Sequence, residues 1–398
     1  MGLLAEVVGR KTEGSVVSIN ETAGIASVFE DPDSAEAIFD ISYPFSSVPQ
    51  HPESNYYVAL FGHANWPQAR TMTLRVEGKA VGAIFPLEVL CTGFADDPDV
   101  SANRKATMEQ YATISFSKMC KGDVRGRPLV PEIQSTSAPL QISTFYHPDT
   151  VIVILTIDQF FPLELREAQN SEEYNNYFVR YLPSFYRQGL FPSPREKTGE
   201  SAAVPARYRH FNGALSGTND RNFVLEPFSG HLSNGPRDFL LAIFQEIDPN
   251  ESNPFFRFFL YYQVFELWMQ EIYVDAISAF TNALVGATAG DTVIFREKLN
   301  ALNTILTEKN RLNEILSANP TDECGPFVID ACNEVLELCG QPPHNTLHDA
   351  LYSVRNRLVH SFSQAKVARN GFEKLADATL DLICKTAVQY RPPPTKQF

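Results

Sequence analysis

The sequence is short of positive charge. Its 398 residues carry 33 Lys and Arg against 47 Asp and Glu, a net charge of −14. A general nucleic-acid coat needs a basic face, and this balance excludes one. It leaves room for a local basic cleft, because the field at a site follows the nearest charges. Cysteine is also sparse. Cys91, Cys120, Cys324, Cys332, Cys339 and Cys384 form no CxxC pair. The spacings within Cys324, Cys332 and Cys339 suit one helix face and match no zinc pattern, which predicts reduced, buried thiols and no metal or cofactor. Long apolar runs are missing too. The longest, VIVILTI at 151–157, is far below the roughly 20 residues that span a bilayer. The opening MGLLAEVVGRKTEG shows no basic stretch followed by an apolar one, and Glu6 stands where myristoylation needs Ser or Thr. A soluble cytoplasmic protein without membrane contact is expected. There is no GxxxxGK[ST] loop, no GxSxG elbow and no HExxH pair, and His51, His63, His147, His210 and His231 are scattered.

What is present is aromatic and globular. Apolar residues make up 44% of the chain, with 29 Phe and 15 Tyr. This length favours two domains. The fold class expected is α+β, with a β-rich domain over 1–190, a connecting segment over 191–250 and an all-helical domain over 251–398. Strands are expected at 55–62, 70–78, 80–91, 110–119, 139–147 and 150–161, from β-branched and aromatic runs closed by Gly, Pro or Asn. In RTMTLRVEG, Met72, Leu74 and Val76 alternate with Thr71, Thr73 and Arg75, as in a half-buried strand. VIVILTI is apolar on both faces and fits a central strand. The Glu77-Gly78-Lys79 triplet resembles half of a metal-nuclease motif, but Gly78 reads better as a turn. Residues 163–186 pattern as a helix with an N-cap at Ser171. The segment 191–223 is rich in Pro, Gly, Ser and charge, and reads as a loop.

From 254 the periodicity turns helical. The first long helix opens with Pro254 and is apolar almost all round, which suits a bundle centre or an oligomer interface. A second is expected over 291–316 from an N-cap at Asp291, with Leu299, Leu302, Ile305 and Leu306 at helical spacing. Others follow at 326–340, ending at Gly340, at 345–362 and at 371–390.

The segment LYSVRNRLVHSF (351–362) carries the most chemistry. On a helical wheel Leu347, Leu351, Val354, Leu358 and Phe362 form one apolar seam. Asn356 and His360, four apart, stack on the other side with Asp349, and Arg355 lies at the flank. An Arg suits phosphate oxygens, and a His titrates near neutral pH. Arg357 adds charge beside them, and Lys366 and Arg369 add more in SQAKVARNG. His344 and His348 flank the start of the same helix. Glu266, an acid inside a very apolar helix, needs a partner, for which Arg355 or His360 is a candidate.

The stretch RNRLVH, with Arg355, Asn356 and His360, resembles the signature of the HEPN superfamily of α-helical RNases and nucleotide-binding proteins. With FLYYQVFELWMQEIY earlier, the region from about 250 to 390 is similar to the ApeA-like HEPN branch linked to anti-phage defence. The resemblance leaves out the β-rich half. It implies a metal-independent endoribonuclease whose composite site forms across a homodimer, with Arg355, Asn356 and His360 catalytic. Glu266 and Arg357 would support them, and Lys366, Arg369 and His348 would bind substrate. The implied role is an abortive-infection or toxin-like effector cleaving RNA. The β-rich domain would then meet a phage-derived or regulatory trigger. The competing expectation is a non-catalytic HEPN module for RNA binding or dimerisation.

Overall fold

The computed structural model describes residues 16–20, 25–29, 37–42, 55–63, 71–87, 150–168, 171–192, 222–248, 251–285, 307–319 and 321–394, with single positions between 107 and 125 and between 296 and 304. The chain is mixed α+β, with strands early and helices dominating later. It divides into two compact units. One holds the described residues up to Phe178, with 188–192 and 222–226. The other holds Val179–Arg187 and the described chain from Pro227 onward. Residues 227–248, within the expected connecting segment, thus belong to the helical unit.

In the first unit, β1 (Val16–Asn20), β2 (Ile25–Phe29) and β3 (Ala37–Ser42) form an antiparallel ladder that the sequence reading did not anticipate. A six-stranded sheet follows the order β8 (Leu190–Pro192), β4 (Tyr56–His63), β7 (Thr150–Thr156), β6 (Lys79–Pro86), β5 (Met72–Val76), β9 (Asn222–Val224). Its pairs are antiparallel except β5 with β9. VIVILTI supplies the central strand β7, buried from Val151 to Leu155. Met72 and Leu74 of β5 are buried as their alternation predicted. Glu77 (φ 49°) and Gly78 (φ 79°) make the two-residue loop between paired Val76 and Lys79. Positive φ at both positions marks a type I′ hairpin, where glycine costs least.

Several expected elements differ. The described positions of the 110–119 strand are helical, and Met108, Ala112 and Ser115 are buried at i, i+4, i+7 spacing. Helical periodicity overrides the β-branched composition there. The strand at 139–147 and most of 191–223 lie outside the described residues. The strand from 150 ends at Thr156 and turns into α1 (Ile157–Phe160). The single helix over 163–186 is three: α2 (Leu163–Ala168), α3 (Ser171–Val179) and α4 (Leu182–Arg187). Pro183 sits in the first turn of α4, where its missing N–H costs nothing, and would break a continuous helix.

The helical unit takes in α4 and resumes at α5 (Asn234–Ala242), which runs into a π-helical turn at Ile243–Ile247. Next comes α6 (Pro254–Val285), with Pro254 as its first residue and Asn253 Oδ1 accepting from the Phe255 N–H. The expected helix over 291–316 is interrupted at Thr307, which is extended and caps α7 (Glu308–Ala318). Thr307 donates its hydroxyl to the Thr304 carbonyl at 3.2 Å, a local bond by which threonine competes with helix continuation. The expected cap at Asp291 lies outside the described residues.

Helices α8 (Gly325–Leu338) and α9 (Leu347–His360) run side by side in the same direction. Their starts meet where Gly325 faces Leu347, and Cys339 feels the charge of Arg357 near their ends. A parallel pair needs a connection about as long as the helices, roughly 21 Å for 14 residues, and seven extended residues reach that far. Gly340 (φ 70°) starts the return, with Gln341 N–H bonded to the Leu336 carbonyl. Asn333 then clamps His344 at both backbone groups, and His344 Nε2 lies 2.8 Å from Ser353 Oγ.

After α10 (Phe362–Ala365), α11 (Arg369–Gln389) closes the bundle beside α6. A buried ionic cluster sets their register. Arg257 of α6, 1% exposed, reaches Asp248 at 3.3 Å and Asp377 of α11 at 3.1 Å, and Tyr261 donates to Asp248. Farther along, Trp268 stacks on Tyr390 with centroids 5.2 Å apart. Among the described residues no helix is long and apolar enough to cross a membrane. Arg257→Ala is expected to cost about 3–5 kcal/mol in urea unfolding, because it strands buried carboxylates. A loss no larger than an exposed ion pair, about 0–1 kcal/mol, would show that the cluster does not hold the helices.

Candidate active site

Helix α9 carries five of the sequence-predicted residues, His348, Arg355, Asn356, Arg357 and His360, and its two ends are fixed differently. At the start, Thr346 is the N-cap and accepts from the Asp349 N–H, while its hydroxyl donates to Asp349 Oδ2 at 2.7 Å. Lys309 of α7 pairs with the same carboxylate, and His348 Nε2 lies 3.7 Å from it. Burial alone would push the Asp349 carboxyl up, but the bonds to Lys309 and Thr346 outweigh it and hold it below the usual range. At the far end the helix stops at His360. Ser361 leaves helical geometry (φ −143°, ψ 45°), and its N–H bonds the Arg357 carbonyl.

The seam is Leu347, Ala350, Leu351, Val354 and Leu358, all buried. Phe362 does not extend it. The chain turns at Ser361, so Phe362 begins α10 and is 52% exposed, with one edge against Phe255 at 5.5 Å. Opposite the seam, Asn356 is half-buried and His360 is exposed, while half-buried Arg357, seven residues after Ala350, lies at the seam's edge. Lys366 and Arg369 are exposed on the short 3-10 helix and the start of α11 that follow.

Arg355 is where three helices meet. Its side chain is 20% exposed. Glu266 Oε1 of α6 accepts from Arg355 Nη2 at 2.8 Å and from Nε at 3.3 Å. Gln263 donates to the other oxygen of Glu266 at 2.6 Å, so both carboxylate oxygens are engaged. Arg355 Nη1 donates to Asn356 Oδ1 at 3.3 Å. Glu308, the first residue of α7, stands 3.7 Å from Arg355 Nε. The Tyr262 ring lies beneath the guanidinium at 5.7 Å, and its hydroxyl donates to Glu308 at 3.1 Å. Burial, then the Glu308 charge, push the Tyr262 phenol far up, so it stays a neutral donor. Burial of Arg355 opposes its charge, but Glu266 and Glu308 outweigh that and deepen its protonation.

The structure therefore brings Glu266 onto Arg355 and places Asn356 beside the same guanidinium. Arg355 and His360 stand five residues apart, roughly 7–8 Å along the helix axis. His348 lies at the opposite end of α9, two turns before Arg355, away from His360. Sequence reasoning missed Tyr262, Gln263 and Glu308. Glu308 gave no signal, because the break at Thr307 that makes it a helix start was itself unread. Gln263 and Glu266 are three apart on one helix, a spacing at which side chains meet. Among the described residues, no group of three or more His, Cys, Asp or Glu is placed to hold a metal ion. Cys324, Cys332 and Cys384 are buried free thiols and Cys339 is half-buried, while Cys91 and Cys120 lie outside the described residues. Compared with models of known protein families, with curated proteins and with solved structures, the chain matches none.

Proposed function

We propose that the chain is a metal-independent endoribonuclease of HEPN type, acting as an anti-phage or toxin-like effector at a dimeric site. The observation that carries this reading is the locked Arg355: a guanidinium oriented by Glu266 and Asn356, one helical segment from an exposed His360. RNA supplies its own nucleophile. The 2′-oxygen attacks the adjacent phosphorus, a histidine takes the 2′ proton, and the 5′-oxygen leaves with a proton from a second acid. The products are a 2′,3′-cyclic phosphate and a 5′-hydroxyl. Arg355 suits the charge that builds on the non-bridging oxygens, because fixed donors need no reorganisation. His360 is the last residue of α9 and is exposed, so a bound strand can reach its imidazole. One His360 serves one proton transfer, and the other transfer calls for a second copy. Exposed Val359, Phe362 and Val367 around His360 give such a copy an apolar surface to cover.

A specific observation also supports the second reading, a non-catalytic RNA-binding or dimerisation module. Arg355 has carboxylates on two sides, Glu266 and Glu308, so an incoming phosphate meets excess negative charge. The two glutamates differ in role. Glu266 is hydrogen-bonded to Arg355 and orients it. Glu308 is at ion-pair distance only and is held by Tyr262.

Cleavage of single-stranded RNA in EDTA is expected for the purified protein, with products ending in cyclic phosphate by mass. Arg355→Ala and His360→Ala are each expected to abolish it, and activity surviving both would remove the assignment. Glu266→Gln weakens a charge-assisted bond worth about 1.5–3 kcal/mol and is expected to slow cleavage about tenfold or more. Glu308→Gln is expected to act with the opposite sign, raising cleavage severalfold by removing a competing charge. RNA binding without cleavage in both the wild type and Glu308→Gln would select the non-catalytic module. Val367→Asp is expected to lower the dimer fraction in sedimentation together with cleavage.

A further inference from the structure

The opposite end of α9 opens onto a groove of about 970 Å³. The last residues of α7 and α11 and the first turn of α9 line it, with the turn carrying Ser229 and His231. Its floor is tied down. Buried Asn319 donates to the Ile315 carbonyl at 2.8 Å and accepts from the Arg391 N–H at 2.8 Å. Ser229 Oγ donates to the Tyr390 carbonyl at 2.7 Å. Arg391 therefore stands on a fixed backbone although it lies past the end of α11.

The lining is chemically mixed in a way that narrows the ligand. Arg391 offers a planar fork of donors suited to a phosphate, and His231 and His348 lie on the same surface. Exposed Asn313 and Gln389 offer side-chain amides, which pair in two-point fashion with base edges. Asp322 is an acceptor for an exocyclic amine or a sugar hydroxyl. Buried Leu316 and Leu347 give the apolar patch that a base face needs. A volume of this order accommodates a nucleotide-sized ligand.

The groove is also in line with the site. His348 precedes Arg355 by seven residues, so the two share a face of α9 about 10 Å apart along its axis. Asn313 follows Glu308 by five residues on α7. One α7–α9 seam thus carries the arginine centre at one end and the groove at the other.

We infer that this groove is a subsite for a nucleoside monophosphate unit. Arg391 and His348 hold the phosphate, and Asn313 and Gln389 read the base edge. The unit is either a nucleotide of the strand flanking the cut, which rests on the ribonuclease reading, or a free mononucleotide, which does not.

The full-length wild type, Arg391→Gln and Asn313→Ala separate these sources, once equal melting temperatures show that all are folded. The probes are a fluorescein-labelled ten-nucleotide single-stranded RNA, and adenosine and uridine 5′-monophosphates titrated by calorimetry. For a strand nucleotide, each substitution raises the KM for the RNA about tenfold with kcat retained. It also weakens RNA binding to the cleavage-dead His360→Ala protein equally, and mononucleotides give no heat. For a free nucleotide, the monophosphates bind the wild type and lose that binding in both variants, whether or not the protein cleaves RNA. A wild type that binds a probe through these residues without cleaving RNA keeps the subsite and overturns only the nuclease reading. RNA parameters and mononucleotide heats that neither substitution changes overturn the subsite.

Discussion

The helical unit depends on where a single buried guanidinium is placed. Arg257 is almost wholly removed from water, and an ion of that size is costly to bury unless its charge and donors are met. Asp248 and Asp377 meet its charge, and with Tyr261 they take up its Nε and Nη2 donors; they come from just past the π-turn, from α11 and from α6 itself. Sliding α6 along α11 by one turn would part Arg257 from Asp377. The cluster therefore fixes the height of everything else on α6. Glu266 follows Arg257 by nine residues, about 13–14 Å along the axis, and its height decides whether it can reach Arg355. Packing alone would fix this less sharply, since apolar surfaces tolerate small slips better than a charged bond does.

Around Arg355 the same physics is used at the surface. Two unit charges 4 Å apart interact by about 4 kcal/mol at the effective dielectric near a protein surface, and partial exposure reduces this further. Glu266 and Glu308 together exceed the charge of Arg355, so its orientation is well determined and its attraction for anions is damped. Orientation and affinity are thus set by different residues. The hydrogen-bonded glutamate on the long helix fixes direction, and the ion-paired glutamate at the start of α7 tunes charge. Thr307 matters for that reason. Its break places Glu308 in a first helical turn beside α9, where Lys309 also pairs with Asp349 of that helix.

What could be read from the sequence was local. The Glu77-Gly78 turn, the double-faced apolar strand β7, Pro254 at a helix start and the Leu351–Leu358 seam each follow from spacing or backbone preference within a few residues. The Arg355–Glu266 contact was reachable because an acid in an apolar helix demands a partner. The Arg257 cluster joins residues 120 positions apart, and no spacing announces it. The parallel pairing of α8 and α9 was equally hidden, because a short connection suggests an antiparallel turn. Only the extended return through Gly340 and His344 makes the parallel form possible. Phe362 was misplaced for a similar reason, since the wheel assumed that the helix continued past Ser361.

That return segment has a consequence for the motif helix. In an antiparallel pair, the start of α9 would lie beside the end of α8. The parallel arrangement instead brings both starts together and sets Arg357 by Cys339. Asn333 and Ser353 hold His344 against the polar flank of α9, so its first half is braced by the strap as well as by its cap. Later in α9, Asn356 is half-buried beside Arg355 and His360 is exposed. The helix is thus braced by the strap in its first half and tied through Arg355 to α6 and α7 in its second, and only His360 at its last turn stands exposed among the three motif residues. That division leaves His360 accessible without loosening the element that positions it.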